Sequence, residues 1–529
     1  MNRFEWLSEF LARLHDEHIL VRAGSARALR PAHRLVLDTE DWARAVRLAR
    51  EMGCRFAGLW GDPEADDRIG VFVCLENQGD YLVLHAHVPL TQPVLDSLTA
   101  IYPSADRLER HLQDLLGVAI QGHPNGHRWT RHQAWSDAEF PLRPDYPAGG
   151  DNPRRTRADS DYPFVRIHGN SVTEIPVGPV HAGIIEPGHF RFSTVGEEVL
   201  RLEERLGYVH KGIEKIAVGR DPQGLARLAG RVSGDSTVAH TWAACQAMER
   251  ASGCTPPPRA LALRALLCER ERIANHLGDI GAICNDVGFA FIHVQCARLR
   301  ERWQRRSADL FGHRLLMDTL VPGGVSVDLN GAGIAAILAD QTELRRETDV
   351  LFDIIDDHPS LEDRLLTTGA LANDDARELG CTGHVGKASG QPFDVRIDNP
   401  YPPYDRLNLQ PVDEQSGDVA ARVRVRMAEI GSSLQLSEAL LESLPNGDTL
   451  VPMTTPKAGD TGMGFVDGWR GEVISFVRFG AEGRIARFFP RDPSWFTWPA
   501  LERLIMGNIV ADFPVCNKSV NGSYSGQDL

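Results

Sequence analysis

The spacing of hydrophobic residues in the first 120 positions predicts a small domain of helices and strands. Apolar side chains recur every three to four residues over 4–14 and 42–49, the period of a helix with one buried face. Three runs rich in β-branched and aromatic residues predict strands, at 33–37, 70–75 and 81–88. A further amphipathic helix is expected to begin near Val94 and to end at Gly117. Together these elements predict a compact α/β domain.

Longer stretches with helical spacing follow a change of composition. Residues 141–165 are rich in Pro, Arg, Asp and Gly without apolar periodicity, which predicts a linker. A β-hairpin is predicted from 175–181 and 184–192. Helical patterns then cover 195–207, 225–250, 259–283, 297–312 and 334–357. The predicted fold class is α+β: an α/β domain over 1–140, a linker over 141–165, and a mainly α-helical bundle with peripheral β-hairpins over 166–529.

The charge balance excludes some classes of function. The 529 residues include 57 Lys and Arg against 72 Asp and Glu, a net charge of −15. Sequence-independent nucleic-acid binding needs a basic surface, so no nucleic-acid partner is expected. The sequence contains no window of about 18 uncharged apolar residues, the length that spans a bilayer. We therefore expect a cytoplasmic chain that reaches a membrane through partner proteins.

The cysteines do not predict a metal cluster within this chain. The nine cysteines are scattered and never form a Cys-x-x-Cys pair. This spacing argues against a self-contained zinc or iron-sulfur site and against a disulfide framework. Most of them are expected to be small buried residues.

Several motifs resemble subunits of a respiratory complex. Residues 109–117, read ERHLQDLLG, precede Gly122-His123-Pro124. Their order and spacing resemble a signature of the 30-kDa subunit of complex I, the NADH:quinone oxidoreductase. Five further stretches stand at 178–181, 206–215, 271–277, 322–325 and 388–396. They resemble the 49-kDa subunit and, more closely, the large subunit of membrane-bound group 4 nickel-iron hydrogenases of the formate hydrogenlyase type. Both parts are also fused in one chain in those families.

Two segments resemble the metal-binding segments of the hydrogenases. Residues 231–240 read RVSGDSTVAH, and residues 519–529 read SVNGSYSGQDL. The resemblance places four cysteine ligands at Ser233, Ser236, Ser523 and Gly526. A nickel-iron centre needs soft thiolates, whereas serine hydroxyls are hard and glycine offers no side chain. We expect no metal at this site and no cofactor bound by this chain, so an active hydrogenase is disfavoured.

The resemblance to complex I also implies candidate catalytic residues. There the corresponding metal-free cavity receives a quinone headgroup, and His181 and Asp286 match its histidine and aspartate contacts. A carboxylate orients an imidazole and raises its pKa for proton donation; a purely structural hydrogen bond in a polar turn remains the alternative. Glu186 matches the glutamate that passes protons beside the hydrogenase centre. The alternative is that Glu186 is an ordinary surface carboxylate. Pro222 stands where complex I has its quinone-contacting tyrosine, so that donor is missing.

One polar stripe has a different expected role. Glu269, Arg272 and His276 are spaced to share one face of a helix. Within a helical bundle this pattern predicts a buried salt-bridge network rather than catalysis.

The resemblance implies a core subunit of a membrane-associated respiratory redox complex. Electrons would pass from an iron-sulfur cluster on a small partner subunit to quinone or another small acceptor. The other implied partners are a ferredoxin-like subunit and antiporter-like membrane subunits, which would place the chain on the cytoplasmic face of the inner membrane. A non-catalytic coupling or scaffold subunit is the alternative. Because no Gly-x-Gly-x-x-Gly follows a predicted strand, NAD chemistry is expected on another subunit.

Overall fold

A computed structural model describes residues 5–22, 29–65, 67–136, 138–149, 162–181 and 185–529. The elements of the N-terminal part are α1 (Glu5–Asp16), β1 (His33–Leu37), α2 (Trp42–Glu51), β2 (Arg55–Ala65), β3 (Arg68–Asn77), β4 (Asp80–Pro89), β5 (Val94–Asp96), α3 (Asp106–Leu116) and β6 (Ala119–Gln121). Four of its strands form a sheet in the order β1-β4-β3-β2. Residues 150–161 of the predicted linker lie outside the described residues.

The predicted strands of this part are confirmed, and their burial has a clear cause. β3 and β4 pair antiparallel over their whole length, and β1 pairs parallel with β4. Trp60 on β2 contacts Phe476 and Phe489 of the second part, at ring centroid distances of 5.3 and 5.4 Å. The sheet is therefore covered on this face by the rest of the chain, which explains its nearly continuous apolar runs.

The helix expected from Val94 is wrong in its start. Residues Val94–Asp96 form the short strand β5, which pairs parallel with β6, and α3 begins only at Asp106. Pro103 explains the difference, since the residue before a proline is pushed towards extended backbone and proline suits the start of a helical turn. The predicted end is confirmed: Gly117 adopts the left-handed conformation, φ 74°, that closes α3.

The larger part is mainly helical. Its elements are β7 (Val172–Val177), β8 (His189–Val195), β9 (Glu198–Arg205), α4 (Ile213–Ala217), α5 (Pro222–Ala229), α6 (Thr237–Ser252), α7 (Pro258–Asp286), α8 (Ala290–Phe311), β10 (Leu320–Val321), β11 (Gly324–Val325), α9 (Gly331–Asp356), α10 (Pro359–Leu365), α11 (Asn373–Glu378), α12 (Gly383–Ala388), α13 (Val395–Asp398), α14 (Val419–Glu442), β12 (Thr461–Gly468), β13 (Gly471–Phe479), β14 (Ile485–Arg491), α15 (Ser494–Leu504), α16 (Phe513–Val520) and α17 (Tyr524–Asp528). The mixed α+β class is confirmed.

Two helical predictions in this part are wrong. Residues 195–207 contain β9, whose pairing with β8 extends the predicted hairpin into a three-stranded sheet. Their apolar spacing fits a strand as well as a helix, and tertiary pairing decides between them. The single helix expected over 225–250 is interrupted after Ala229, and α6 begins at Thr237. The residues between the two helices include Ser233 and Ser236.

The helix α7 runs through the core, and α6 lies across the antiparallel sheet β12-β13-β14. Close contact between α6 and β12 depends on glycine: a Cβ at Gly464 would lie 1.9 Å from the carbonyl oxygen of Ala243. Helix α6 therefore packs its backbone directly against the strand, which fixes the position of its N-terminus.

The predicted salt-bridge network is confirmed. Arg272 contacts Glu269 at 3.3 Å and Glu429 at 3.3 Å, and the His276 Nε2 lies 2.6 Å from a Glu429 oxygen. Lys387 bonds the other Glu429 oxygen at 2.6 Å. All five side chains are buried, so each charge needs these partners to offset its loss of hydration.

The cysteines and the helix lengths also agree with expectation. All nine cysteines are free, and every one except the partly buried Cys254 is buried. Within the described ranges, no helix combines the length and apolar composition needed to cross a bilayer.

Candidate functional site

The two serine-bearing segments meet at one cavity. Ser233, in the loop between α5 and α6, lies 2.8 Å from Ser523, between α16 and α17, measured between their hydroxyl oxygens. The two residues are 290 positions apart in the sequence. A cavity of about 380 Å³, called the central cavity below, is lined by Ile185, Glu186, Ser233, Gly234, Asp235, Asn275, Gly278, Asp279, Ala282, Arg300, Arg470, Lys518, Asn521, Gly522, Ser523, Tyr524 and Ser525.

The serine hydroxyls at this junction are engaged with the protein itself. The Gly526 N–H donates to Ser523 Oγ at 2.9 Å, which caps the start of α17. Ser233 Oγ donates to Asp235 Oδ1 at 2.7 Å, so the proton between the two serines comes from Ser523. The result is a directed chain of hydrogen bonds from Gly526 through both hydroxyls to a carboxylate. Ser236 lies behind it and accepts from Arg470 at 3.1 Å.

Gly526, the fourth ligand position, has no room for a side chain. A Cβ built there would lie 2.6 Å from the Asp492 Cγ and 2.7 Å from its Oδ2. The His240 Nε2 donates to Asp492 at 2.8 Å, and the Ser494 N–H donates to it at 2.8 Å, so the carboxylate is fixed. Burial opposes its charge, but the bond and charge of His240 outweigh burial and lower the pKa of Asp492 to about 2. An anionic carboxylate thus occupies the space beside Gly526.

Arg470 joins the two segments beneath the hydroxyl chain. Its guanidinium donates to both oxygens of Asp235, at 2.8 and 2.7 Å, and its Nε donates to the Asn521 carbonyl at 2.7 Å. It lies over the Trp469 ring, 3.9 Å from the centroid. Burial disfavours the Asp235 carboxylate, but Arg470 outweighs that effect and holds the pKa of Asp235 below its usual value.

The structure gives two of the predicted catalytic residues different partners. The His181 Nε2 donates to the Gly188 carbonyl at 2.8 Å, within the turn between β7 and β8. Asp286 ends α7, where desolvation raises its pKa against the opposing charges of Lys518 and His293. Among the described residues, no hydrogen bond or ion pair joins His181 to Asp286. Their catalytic role stays a prediction.

Glu186 does reach the central cavity. It is exposed at the rim, and its Oε2 accepts from the Ser525 N–H at 2.9 Å. The β7–β8 turn is thereby tied to the C-terminal segment. A carboxylate at this position has access both to solvent and to the cavity.

Several residues of the site are not anticipated from the sequence. Arg300 lies on a helix predicted only from its apolar spacing, and Lys518 lies on the unpredicted helix α16. Arg470 and Asp492 lie in or beside the unpredicted sheet β12–β14. Gly468 and Gly471 flank Trp469-Arg470, which marks a hairpin turn, but that signal gives no direction to the guanidinium. Only the fold brings these charges to the two segments.

A histidine cluster in the N-terminal part is also missed by sequence reasoning. Glu64 lies on β2, and His85 and His87 lie on β4, two strands away in the sheet. Their potential ligand atoms lie within 4.8 Å of one another. Arg34 donates to the His85 Nδ1 at 2.6 Å, so the proton of the neutral ring is on Nε2, the atom that faces Glu64. A metal-bound histidine instead donates from its second nitrogen. The arrangement is that of a hydrogen-bonded polar cluster.

Comparison with known proteins agrees with this geometry. The family models described as the 30 Kd and 49 Kd subunits of respiratory-chain NADH dehydrogenase match residues 35–152 and 286–463, and that of nickel-dependent hydrogenase matches 211–278. Formate hydrogenlyase subunit 5 of Escherichia coli is 31% identical over 450 residues, covering 85% of this chain and 79% of the relative. The C/D subunit of the NADH-quinone oxidoreductase of Bacteroides thetaiotaomicron is 28% identical over 473 residues, with 85% and 88% covered.

A solved structure shares the fold. A chain of the membrane-bound sulfane sulfur reductase, an archaeal respiratory membrane complex, superimposes with a TM-score of 0.64 at 24% identity, covering 68% of this chain and 99% of that one. The sequence matches and the joined segments lead to one assignment. The chain belongs to the family of complex I 30-kDa and 49-kDa subunits and group 4 hydrogenase large subunits, with both parts fused in one polypeptide.

Proposed function

We propose that this chain is the core subunit of a membrane-associated respiratory redox complex and has no nickel-iron centre of its own. A small electron acceptor bound in the central cavity receives electrons from an iron-sulfur cluster on a partner subunit. One observation carries the proposal: the two segments still meet, 2.8 Å apart at Ser233 and Ser523, around an open cavity of about 380 Å³. The related subunits of formate hydrogenlyase and of NADH-quinone oxidoreductase support the redox role.

The residues present do not fit a nickel-iron centre. A serine hydroxyl remains protonated near neutral pH and is a hard donor, whereas the centre needs soft thiolates. The hydroxyls of Ser233 and Ser523 are already committed to the chain that ends on Asp235. The space beside Gly526 is filled by the Asp492 carboxylate. No step of the proposed reaction therefore passes through such a centre.

The chain's own groups bind the acceptor and deliver protons to it. Arg470 and Asp235 fix the two segments, so the cavity keeps one shape. Glu186, exposed at the rim, is placed to exchange protons between solvent and a reduced acceptor. His181 does not line this cavity, and its Nε2 is bonded to the Gly188 carbonyl, which leaves only Nδ1 to donate a proton. This makes Glu186 the better supported proton carrier of the two.

The partners follow from the same proposal. A small iron-sulfur subunit supplies the electrons, and a ferredoxin-like subunit feeds it. Antiporter-like membrane subunits hold the chain on the cytoplasmic face of the inner membrane and couple its redox chemistry to ion movement. The described residues contain no helix able to span a bilayer. In this proposal the chain contacts the membrane through these subunits.

The test uses the intact assembly purified through a tag on this chain. The partner cluster is reduced with dithionite, and its reoxidation by added acceptors is followed by electron paramagnetic resonance. Ala282 lines the central cavity on α7, and Ala335 is exposed on α9. We expect Ala282→Phe, which fills the cavity, to slow reoxidation at least about tenfold, and Ala335→Phe, the same change on the surface, to leave it unaltered.

Three results would contradict the proposal. Stoichiometric nickel in the assembly would restore the hydrogenase interpretation. Equal reoxidation rates in the two phenylalanine variants would place acceptor reduction outside the central cavity. A wild-type assembly whose reduced cluster no acceptor reoxidises would favour the non-catalytic coupling or scaffold role.

A further inference from the structure

We propose that the acceptor reduced in the central cavity is a small hydrophilic anion, bound between Arg300 and Lys518. This inference rests on the proposed function and names the class of its substrate. It follows from the charges on the cavity wall, from which of them are already paired, and from the way one of the unpaired cations is held.

The cavity wall is unsuited to a lipophilic molecule. Pockets for apolar small molecules are lined mainly by hydrophobic and aromatic side chains, with a few placed polar groups. Here the apolar side chains on the wall belong to Ile185, Ala282 and Tyr524. The remaining side chains are serines, two asparagines and six charged groups: Glu186, Asp235, Asp279, Arg300, Arg470 and Lys518. A hydrophilic occupant fits this wall.

Three of the charged groups are already neutralised by ion pairs. Arg470 forms a bidentate pair with Asp235. Asp279 pairs with Arg426 at 3.0 Å and accepts from Asn521 at 2.6 Å. These groups fix the structure and leave little charge for a ligand.

Two cations remain. Across the described ranges, neither Arg300 nor Lys518 has a carboxylate within 4.0 Å. The remaining anion on the wall, Glu186, is bound to the Ser525 N–H at the rim. Asp286 is a charged neighbour of Lys518 outside ion-pair distance. The cavity therefore offers two positive charges against one negative charge, which favours an anion.

Arg300 is held by packing and not by a counter-ion. Its guanidinium lies against the backbone of α7 at Gly278, where an added Cβ would come within 3.0 Å of Nη1 and 3.2 Å of Cζ. Its Nε is enclosed without a hydrogen-bond partner. Glycine in the middle of a helix is unfavourable relative to alanine, and here it makes room for the arginine. The position of the charge is thus fixed before any ligand arrives.

Two probes separate an anionic from a neutral acceptor. Tetrathionate is a dianion that takes two electrons and no proton, with cleavage of its central S–S bond: S4O6²⁻ + 2e⁻ gives 2 S2O3²⁻. Ubiquinone-1 is neutral and takes two electrons and two protons to give ubiquinol-1. In both cases the electrons come from the reduced cluster of the partner subunit in the intact assembly.

The variants are Arg300→Gln and Lys518→Gln, with Arg302→Gln as the matched control. Arg302 lies on the same helix α8 but pairs with Glu343 and Glu347 on the surface. We expect each cavity variant to raise the KM for tetrathionate about tenfold or more, since each removes one charge-assisted contact. Arg302→Gln should not change it. Arg300→Lys, which retains the charge, should recover part of the affinity and shows that the fold is intact.

Calorimetric titration of the oxidised assembly with tetrathionate and with thiosulfate measures binding directly. Binding that weakens in Arg300→Gln and Lys518→Gln and at high salt supports the proposal. It is overturned if neither anion binds, if the variants bind as tightly as the wild type, or if ubiquinone-1 is reduced in the cavity and tetrathionate is not. The last outcome leaves the proposed function standing, whereas an assembly that reduces neither acceptor removes both.

Discussion

The space beside Gly526 is the most direct test of how this site differs from a metal centre. Gly526 lies within α17, so alanine suits its backbone. The substitution Gly526→Ala would nevertheless place a Cβ 2.6 to 3.0 Å from the three carboxyl atoms of Asp492. That carboxylate is buried and held by His240 and by the Ser494 N–H, both at 2.8 Å. It must move or the helix must move.

The expected change in the free energy of unfolding follows from three contributions, one of which opposes the other two. Alanine in place of glycine stabilises a helix by about 1 kcal/mol. Overpacking a fixed site costs about 1–3 kcal/mol, and loss of the charge-assisted bond between His240 and Asp492 costs about 1.5–3 kcal/mol. The free energy of unfolding should therefore fall by about 1.5–5 kcal/mol, the net of these contributions. Gly431→Ala on α14 is the control, because no atom outside the helix's own backbone lies within 4 Å of a Cβ added there. This change should raise the free energy of unfolding by about 0.5–1 kcal/mol.

The assay is denaturant unfolding of the purified protein, followed by tryptophan fluorescence under identical conditions for both variants. Opposite shifts of the midpoint are expected from the same chemical change. In an Asp492→Ser background the cost of Gly526→Ala should largely disappear, because the clashing carboxylate is gone. A Gly526→Ala variant as stable as Gly431→Ala, or strictly additive with Asp492→Ser, would refute the reasoning.

Three further outcomes are expected. Arg470→Lys should lower the free energy of unfolding by about 1.5–3 kcal/mol, because an ammonium cannot bond both oxygens of Asp235; an unchanged denaturation midpoint, as expected for the surface control Arg302→Lys, would contradict this. Burial raises the pKa of Asp528 to about 7, so the folded protein retains a proton that the unfolded chain releases near pH 4. Stability should then fall as pH rises from about 4 to 7 and level off above that. Asp528→Asn should flatten this slope, and equal slopes would contradict it. Dialysis against EDTA should leave Tm unchanged, whereas a lowered Tm would reveal a structural metal.

How far the sequence predicts the fold differs between elements. Strands β1, β3 and β4 are predictable because buried runs of β-branched residues have a clear pattern. The helix predicted over 195–207 is wrong because the apolar spacing suits both periods, and pairing with β8 decides the outcome. The sheet β12–β14 has no prediction at all, although its hairpin positions much of the site. The local spacing of apolar residues predicts elements that are buried on one face or on all sides. For the other elements, pairing with distant segments decides whether a helix or a strand forms.

The candidate site shows the same division. The two motifs predict that Ser233 and Ser523 belong to one site, and the structure places their hydroxyls in contact. The resemblance to complex I suggests His181 and Asp286, but their present neighbours are Gly188 and Lys518. A motif fixes which segments converge. The direction of each side chain depends on neighbours from other elements, which a single sequence does not reveal.

The way the two segments are held bears on what the central cavity is for. The Asp235 carbonyl accepts from the Asn275 side chain at 2.7 Å and from the Trp469 indole at 2.9 Å. The Glu271 carboxylate accepts from the N–H groups of Val238 and Ala239 in the first turn of α6, at 2.7 and 3.2 Å, and Ser523 caps α17. Protein groups thus order both segments without help from a ligand. A cavity that is ordered before binding loses little conformational entropy when an occupant binds. Such an ordered site suits the proposed acceptor, which has to bind and leave in every turnover.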